Sequence, residues 1–67
     1  MATTGKNIKK YRIRMNMTQQ RLAELCKVRV GAVSKWERDQ NAPSDISLHR
    51  LTEIFDVPEC SLVGDMS

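Results

Sequence analysis

Residue types on which metal sites and disulfide frameworks depend are scarce in this chain of 67 residues. It has one histidine, His49, and two cysteines, Cys26 and Cys60, which lie far apart without metal-ligand spacing. A zinc site needs two Cys/His pairs, so we expect no metal site. We interpret both thiols as small, partly buried apolar groups in a reducing compartment, with a disulfide as the weaker alternative.

Catalytic patterns are missing as well. The three glycines are isolated, which excludes a glycine-rich phosphate loop. His49 falls on the expected outer side of a helix, and no carboxylate and nucleophile accompany it. A chain this short also leaves little room for a pocket. The sequence therefore predicts that the protein is not an enzyme and takes neither a cofactor nor a small-molecule ligand.

Long apolar runs are also absent. No stretch approaches the length that crosses a bilayer, and none resembles a signal peptide. The chain has only one Trp, one Tyr and one Phe, and no predicted helix combines a large apolar face with bulky exposed aromatics. This argues against binding to a membrane surface. We expect a soluble protein that stays in the cytoplasm.

The charged residues are unevenly distributed along the chain. Residues 1–38 carry ten of the eleven Lys and Arg side chains, with Glu24 and Glu37 as their only acids. Residues 39–67 carry Arg50 and six acidic side chains, so the net charge of +3 divides into +8 and −5. A half this basic suits a polyanion such as nucleic acid or an anionic membrane. A solvated basic face is the plainer alternative.

Apolar residues recur at helical spacing, and no segment alternates with period two for long enough to predict a strand. A first helix is expected to begin at Thr4 or Gly5 and to end at Asn16, which tolerates the left-handed conformation. A second helix begins after the N-cap Thr18. The residues predicted to face inward from these two helices are Ile8, Tyr11, Met15, Leu22, Leu25 and Cys26.

A third apolar pattern begins almost at once, and two short helices three or four residues apart have the spacing of a helix-turn-helix unit. The polar stretch 38–45 predicts a loop, after which Ser44 or Asp45 caps a fourth helix. Pro58 fits the first turn of a short fifth helix that ends near Leu62. The prediction is one all-α domain of five helices over residues 1–67, with an ordered core of about 5–63. The later helices carry inward Val33, Trp36, Leu48, Leu51 and Phe55.

The most specific signal is a string in the middle of the chain: TQQRLA at 18–23, Val28, GAVSKWE at 31–37 and Pro43. In register, this string resembles the phage repressor and Cro family of helix-turn-helix proteins, which show TQxxLA, a short turn, (I/V)SxWE and a later proline. The resemblance covers about residues 8–62. It implies a compact repressor-like domain whose helices 2 and 3 form the helix-turn-helix. It also implies a transcriptional regulator that binds double-stranded DNA sequence-specifically in the bacterial cytoplasm or nucleoid.

The resemblance places the third helix, about residues 29–37, in the major groove. Contacts to bases are then expected from Gln19, Arg29, Val30, Gly31, Ser34 and Lys35. Contacts to phosphates are expected from Lys10, Arg14, Thr18, Gln20, Trp36, Arg38 and Asn41. Gln19 resembles the family glutamine that bridges a phosphate and the recognition helix. For Trp36 a core position is an equal interpretation, and a solvated side chain is an equal interpretation for Lys10, Arg14, Arg38 and Asn41.

Other positions also follow from the resemblance. Arg12 and Glu37 stand where the family joins the first and third helices, which implies a partly buried structural salt bridge. Lys27 stands where the family usually has glycine at positive φ, so we expect a slightly different turn and helix tilt. Arg21 replaces the usual acidic residue and removes a capping box. Gly31 either lets the helix approach the bases closely or sits in the first turn, where glycine costs little.

The family also implies a homodimer, at least on DNA, that binds a palindromic operator as a repressor. We expect its dimer surface around residues 58–66. The end at Gly64-Asp65 resembles the start of a linker and slightly favours an N-terminal part of a longer repressor over a complete Cro-like protein. The alternatives in function are an antitoxin-type regulator and a protein-interaction module. An antitoxin would need a further segment, and a protein-only module would not need the basic half to coincide with the helix-turn-helix.

Overall fold

The computed structural model describes residues 3–63, which form four α-helices and a final 3₁₀ turn. The helices are α1 (Thr4–Arg14), α2 (Gln19–Cys26), α3 (Val30–Glu37) and α4 (Asp45–Phe55), and the 3₁₀ turn is Glu59–Ser61. The all-α prediction is confirmed, but the prediction of five helices is wrong. After Pro58 the chain makes a single turn, because Leu62 is fully buried in the core. Its carbonyl oxygen accepts a hydrogen bond from the side-chain amide of Asn7 at 3.1 Å. No helix within the described part is long and apolar enough to cross a membrane.

Each helix starts and stops where local chemistry favours it. Hydroxyls of Thr3, Thr18 and Ser44 cap α1, α2 and α4 by accepting backbone N–H groups of the first turn, as predicted for Thr18 and Ser44. Shortly after the C-terminal end of each of the four helices, one residue adopts the left-handed backbone conformation, with φ between 55° and 60°. These residues are Asn16, Lys27, Asp39 and Asp56. The prediction for Asn16 is confirmed.

The core lies where the four helices meet. Its members within the described residues are Ile8, Leu22, Ala23, Cys26, Val33, Trp36, Leu51, Phe55 and Leu62. Tyr11 and Leu48 pack against this cluster, and the ring of Tyr11 lies 5.6 Å from that of Phe55, which joins α1 to α4.

Three residues that were expected inside lie outside. Met15 is 50% exposed because α1 ends at Arg14 and Met15 lies beyond its last turn. Leu25 is 37% exposed because the buried face of α2 runs through Leu22, Ala23 and Cys26. Cys60 is exposed on the 3₁₀ turn, whereas Cys26 is buried, and both thiols are free. Within residues 3–63 no group of His, Cys, Asp and Glu could hold a metal ion.

Candidate nucleic-acid interface

Helices α2 and α3 meet closely beneath a three-residue turn. Ala23 and Val33 are buried where the helices pack, and Val28 covers the core from the turn. Lys27 occupies the left-handed position at φ 60° and ψ 42° that the family usually gives to glycine. The N–H of Val28 bonds the Ala23 carbonyl at 3.0 Å, so the turn closes despite the lysine. The backbone strain of this substitution is about 1 kcal/mol.

Arg50 holds the same turn from α4. Its Nη1 donates to the carbonyl oxygen of Cys26 at 2.9 Å, at the C-terminal end of α2 where a cation is favourable. Arg50 has no role that was expected from the sequence. Its one distinguishing feature there is that it is the only Lys or Arg after residue 38.

The C-terminal end of α3 is fastened to α1 and α2 by one carboxylate. Glu37 accepts from Arg12 Nε at 2.6 Å and from Arg12 Nη2 at 3.1 Å, and its Oε1 also accepts from Gln19 Nε2 at 3.0 Å. Arg12 additionally donates to the carbonyl of Met17 at 2.8 Å. The structure therefore places Arg12 and Glu37 together and adds Gln19 to the pair. These contacts fix the third helix against the first two.

The outer face of α3 is open to solvent. Three of its residues expected at bases, Val30, Gly31 and Lys35, are exposed, as is the N-cap Arg29, and Ser34 is half-buried. A Cβ added to Gly31 would meet no atom within 4 Å, so nothing in the fold requires glycine there. Trp36, at the other side of α3, is 5% exposed and belongs to the core. Most of the residues expected at bases are therefore open to solvent, whereas Trp36 lies mainly inward.

The residues expected at phosphates fall into two groups. Around the helix-turn-helix, the exposed candidates Thr18 and Gln20 lie at the N-terminal end of α2, and Arg38 and Asn41 follow α3.

The second group lies on α1. The cationic groups of Lys10 and Arg14 stand 4.9 Å and 5.8 Å from the Tyr11 ring centroid, and Tyr11 packs on Phe55 of α4. Both point about 160° around α1 from Arg12, which faces α3. The structure therefore does not bring Lys10 and Arg14 to the surface of α3.

The geometry agrees with known proteins of one family. A model of the helix-turn-helix family matches residues 8–62. The P22 c2 repressor protein, solved in complex with synthetic operator 9T, superposes with a TM-score of 0.90 at 24% identity over 94% of this chain and 96% of that chain. The DNA-binding domain of the same repressor in solution gives 0.83 at 27% identity, over 97% and 87%.

A third similar structure comes from another class of regulator. The restriction-modification controller protein C.AhdI from Aeromonas hydrophila gives a TM-score of 0.80 at 24% identity, covering 88% of this chain and 89% of that chain. No curated protein sequence matches. The resemblance to phage repressors in the sequence is confirmed by these structures and by the family match. The chain belongs to the helix-turn-helix family.

Proposed function

We propose that this protein is a transcriptional regulator that binds double-stranded DNA sequence-specifically, with α3 in the major groove. The observation that carries the proposal is the outer face of α3, which is exposed while the same helix is anchored at its end by Glu37. A rigid helix with a free polar face is what base recognition needs. Family membership and the repressor bound to its operator support the same conclusion.

The base contacts follow from the donors and acceptors on this face. Lys35 donates to guanine O6 or N7, Val30 contacts a thymine methyl, and Ser34 serves as donor or acceptor. Arg29, at the start of α3, is a further donor to guanine. Gln19 uses one amide N–H for Glu37 at 3.0 Å, which leaves its second N–H and its oxygen for DNA.

Phosphates are bound around the two ends of the helix-turn-helix. Thr18 and Gln20 lie at the positive end of α2, where backbone N–H groups favour an anion. Arg38 and Asn41 add donors after α3. Trp36 is 5% exposed, so its proposed phosphate contact is limited to its one donor, the indole N–H. Lys10 and Arg14 lie apart from these residues, on α1, and contribute to the long-range field of the basic half.

The regulator acts as a homodimer on a palindromic operator, in the bacterial cytoplasm or nucleoid, and it has no catalytic activity. One domain with a single eight-residue α3 reaches few base pairs, so two half-sites are needed for specificity. In the expected dimer region, Pro58, Cys60 and Val63 are exposed. Residues 64–66 of that region lie outside the described part. A protein-only module or an antitoxin remains the second candidate, favoured by the acidic half.

The test is selection of bound sequences from a random duplex pool, followed by affinity measurements at two salt concentrations. We expect an inverted repeat with half-sites about one helical turn apart. The proposal would be contradicted if no sequence is enriched and binding is weak and falls steeply with salt. Such a result would mean that the protein binds DNA only non-specifically, through its basic surface.

A further inference from the structure

A carboxylate from the turn after α3 lies at the N-terminal end of α1. Asp39 Oδ1 accepts the backbone N–H of Gly5 at 3.1 Å, and its Oδ2 accepts the Thr3 hydroxyl at 2.6 Å. The Thr3 oxygen in turn accepts the backbone N–H of Lys6 at 3.1 Å. Asp39 and Thr3 thus satisfy two free amides of the first turn of α1, where negative charge is favourable.

The two helices also meet through their backbones at this point. A Cβ on Gly5 would lie 2.1 Å from the carbonyl oxygen of Trp36, so this approach is open only to glycine. The same carbonyl accepts the N–H of Asp39 at 3.0 Å. Asp39 itself is left-handed, with φ 58°, a conformation that aspartate adopts more readily than most residues. The position of the Asp39 carboxylate is therefore fixed by both the local turn after α3 and the close contact between Gly5 and Trp36.

Asp39 is the second attachment between the end of α3 and α1, after Glu37 and Arg12. Gly5 and Arg12 are seven residues apart on α1, which is about 10 Å along the helix axis. The end of α3 is therefore held to α1 at two separated points, in addition to the packing of Val33 and Trp36 in the core.

We propose that Asp39 is a positioning residue for DNA recognition. By bonding the first turn of α1, it sets the tilt at which α3 presents Lys35 and the residues around it to the bases. This inference rests on the proposed function. It also predicts the opposite of what charge alone predicts, because an acidic side chain near bound DNA ordinarily weakens binding to every sequence.

The test compares Asp39→Gly with Asp56→Gly. Both aspartates are exposed and left-handed, at φ 58° and 55°, so both changes remove one negative charge and relieve the same kind of backbone strain. Of these two aspartates, only Asp39 makes a hydrogen bond to α1 within the described residues. Asp39→Gly is expected to lower the ratio of selected-site to random-site affinity about three- to tenfold, the scale of one ordinary hydrogen bond. Asp56→Gly is expected to leave the ratio unchanged.

Asp39→Asn is the conservative variant, since it keeps an oxygen acceptor and tolerates the same backbone conformation. It should restore part of the lost ratio. The inference would be overturned if Asp39→Gly binds selected and random DNA more tightly by the same factor. The affinity ratio would then equal that of the parent protein, and the effect of Asp39 would be that of its charge alone.

A second measurement needs no DNA. Residual dipolar couplings of the free protein report the angle between the N–H groups of α3 and those of α1. They should change in Asp39→Gly and stay constant in Asp56→Gly, and constant couplings in both variants would overturn the positioning role. If the parent protein selects no sequence while these couplings change, the proposed function fails and the positioning of α3 by Asp39 stands.

Discussion

The carboxylate of Glu37 accepts two hydrogen bonds from the guanidinium of Arg12 across the interface of α1 and α3. The Glu37 side chain is 3% exposed and that of Arg12 is 13% exposed, so little water reaches either charge. Each charge is stabilised instead by the other, with added hydrogen bonds from Gln19 to Glu37 and from Arg12 to the Met17 carbonyl. Breaking a buried ion pair on one side leaves an uncompensated charge. The pair therefore stabilises both the fold and the placement of α3.

Glu37→Gln should lower the free energy of unfolding by about 3 kcal/mol, because Arg12 stays charged in a site with little water. The matched control is Glu24→Gln, which removes the same charge from a pair with Arg21 that is more than half exposed and 3.5 Å long. The control should cost less than about 1 kcal/mol. Urea denaturation measures both. Similar losses from the two variants would mean that burial of the Glu37 pair contributes nothing.

Lys35→Ala should reduce affinity for the selected site by about 1–3 kcal/mol more than for random DNA, because Lys35 is assigned to a base. Arg38→Ala removes the same charge just past the end of α3 and should weaken binding to both DNAs alike, with a salt slope smaller by about one. Titrations of labelled duplexes at several salt concentrations separate the two patterns. An equal loss on both DNAs for Lys35→Ala would remove its assignment as a base contact.

Substitution by alanine at the two helical glycines should change the stability of the protein in opposite directions. Gly5→Ala forces a methyl group against the Trp36 carbonyl and should destabilise the protein by about 1–3 kcal/mol. Gly31→Ala meets only open space and should stabilise it by up to about 1 kcal/mol. If Gly31 serves close approach to bases, the same variant loses operator affinity. Thermal unfolding and DNA titration measure the two effects, and unchanged affinity of Gly31→Ala would exclude close approach.

Lys27→Gly should raise the free energy of unfolding by about 1 kcal/mol, because glycine adopts φ 60° without a steric penalty. Lys9→Gly is the control: it makes the same exchange at an exposed position inside α1, where glycine costs about 1 kcal/mol. Urea denaturation should therefore show shifts of opposite sign. Destabilisation by both would mean that the turn at Lys27 is not strained.

Stability should fall in alkaline solution in a way that depends on Cys26. Burial raises the pKa of its thiol above the ordinary value of a cysteine, and the cation of Arg50 opposes this with a smaller effect. A pKa raised by folding gives stability that is complete below the unfolded pKa and is lost as pH rises through the folded pKa. Urea denaturation between about pH 8 and pH 10 should show a steeper decline for the parent protein than for Cys26→Ala. Parallel declines would contradict this linkage.

Local preferences explain why much of the fold was predictable. Hydroxyls at Thr18 and Ser44, the tolerance of Asn16 for a left-handed conformation and the helical spacing of Leu51 and Phe55 each depend on near neighbours in the chain. The string from residue 18 to Pro43 likewise identified the helix-turn-helix, because its small and apolar residues recur at fixed offsets. The outer residues of α3 were implied by the family resemblance, and Val30, Gly31 and Lys35 are exposed in the structure.

Errors arose where distant segments compete for the same space. Periodicity placed Met15 and Leu25 inside, yet burial depends on where α1 ends and on which side of α2 the other helices pack. A fifth helix was expected after Pro58, but the attachment of Leu62 to Asn7 ends that segment after one turn. Cys60 is exposed for the same reason, since it lies on that turn.

The sequence by itself determined the approximate positions of α1 to α4, the cap at Thr18, the helix-turn-helix and the basic half, because each depends on residues within a few positions of one another or on composition. Only the tertiary structure decided which further contacts hold the helices around the helix-turn-helix, beyond the expected pair of Arg12 and Glu37. Asp39 reaches Thr3 and Gly5 across more than thirty residues, and Arg50 reaches Cys26 across 24. Neither contact has a local signature, because both exist only once the helices have packed and brought a charged side chain to the end of another helix.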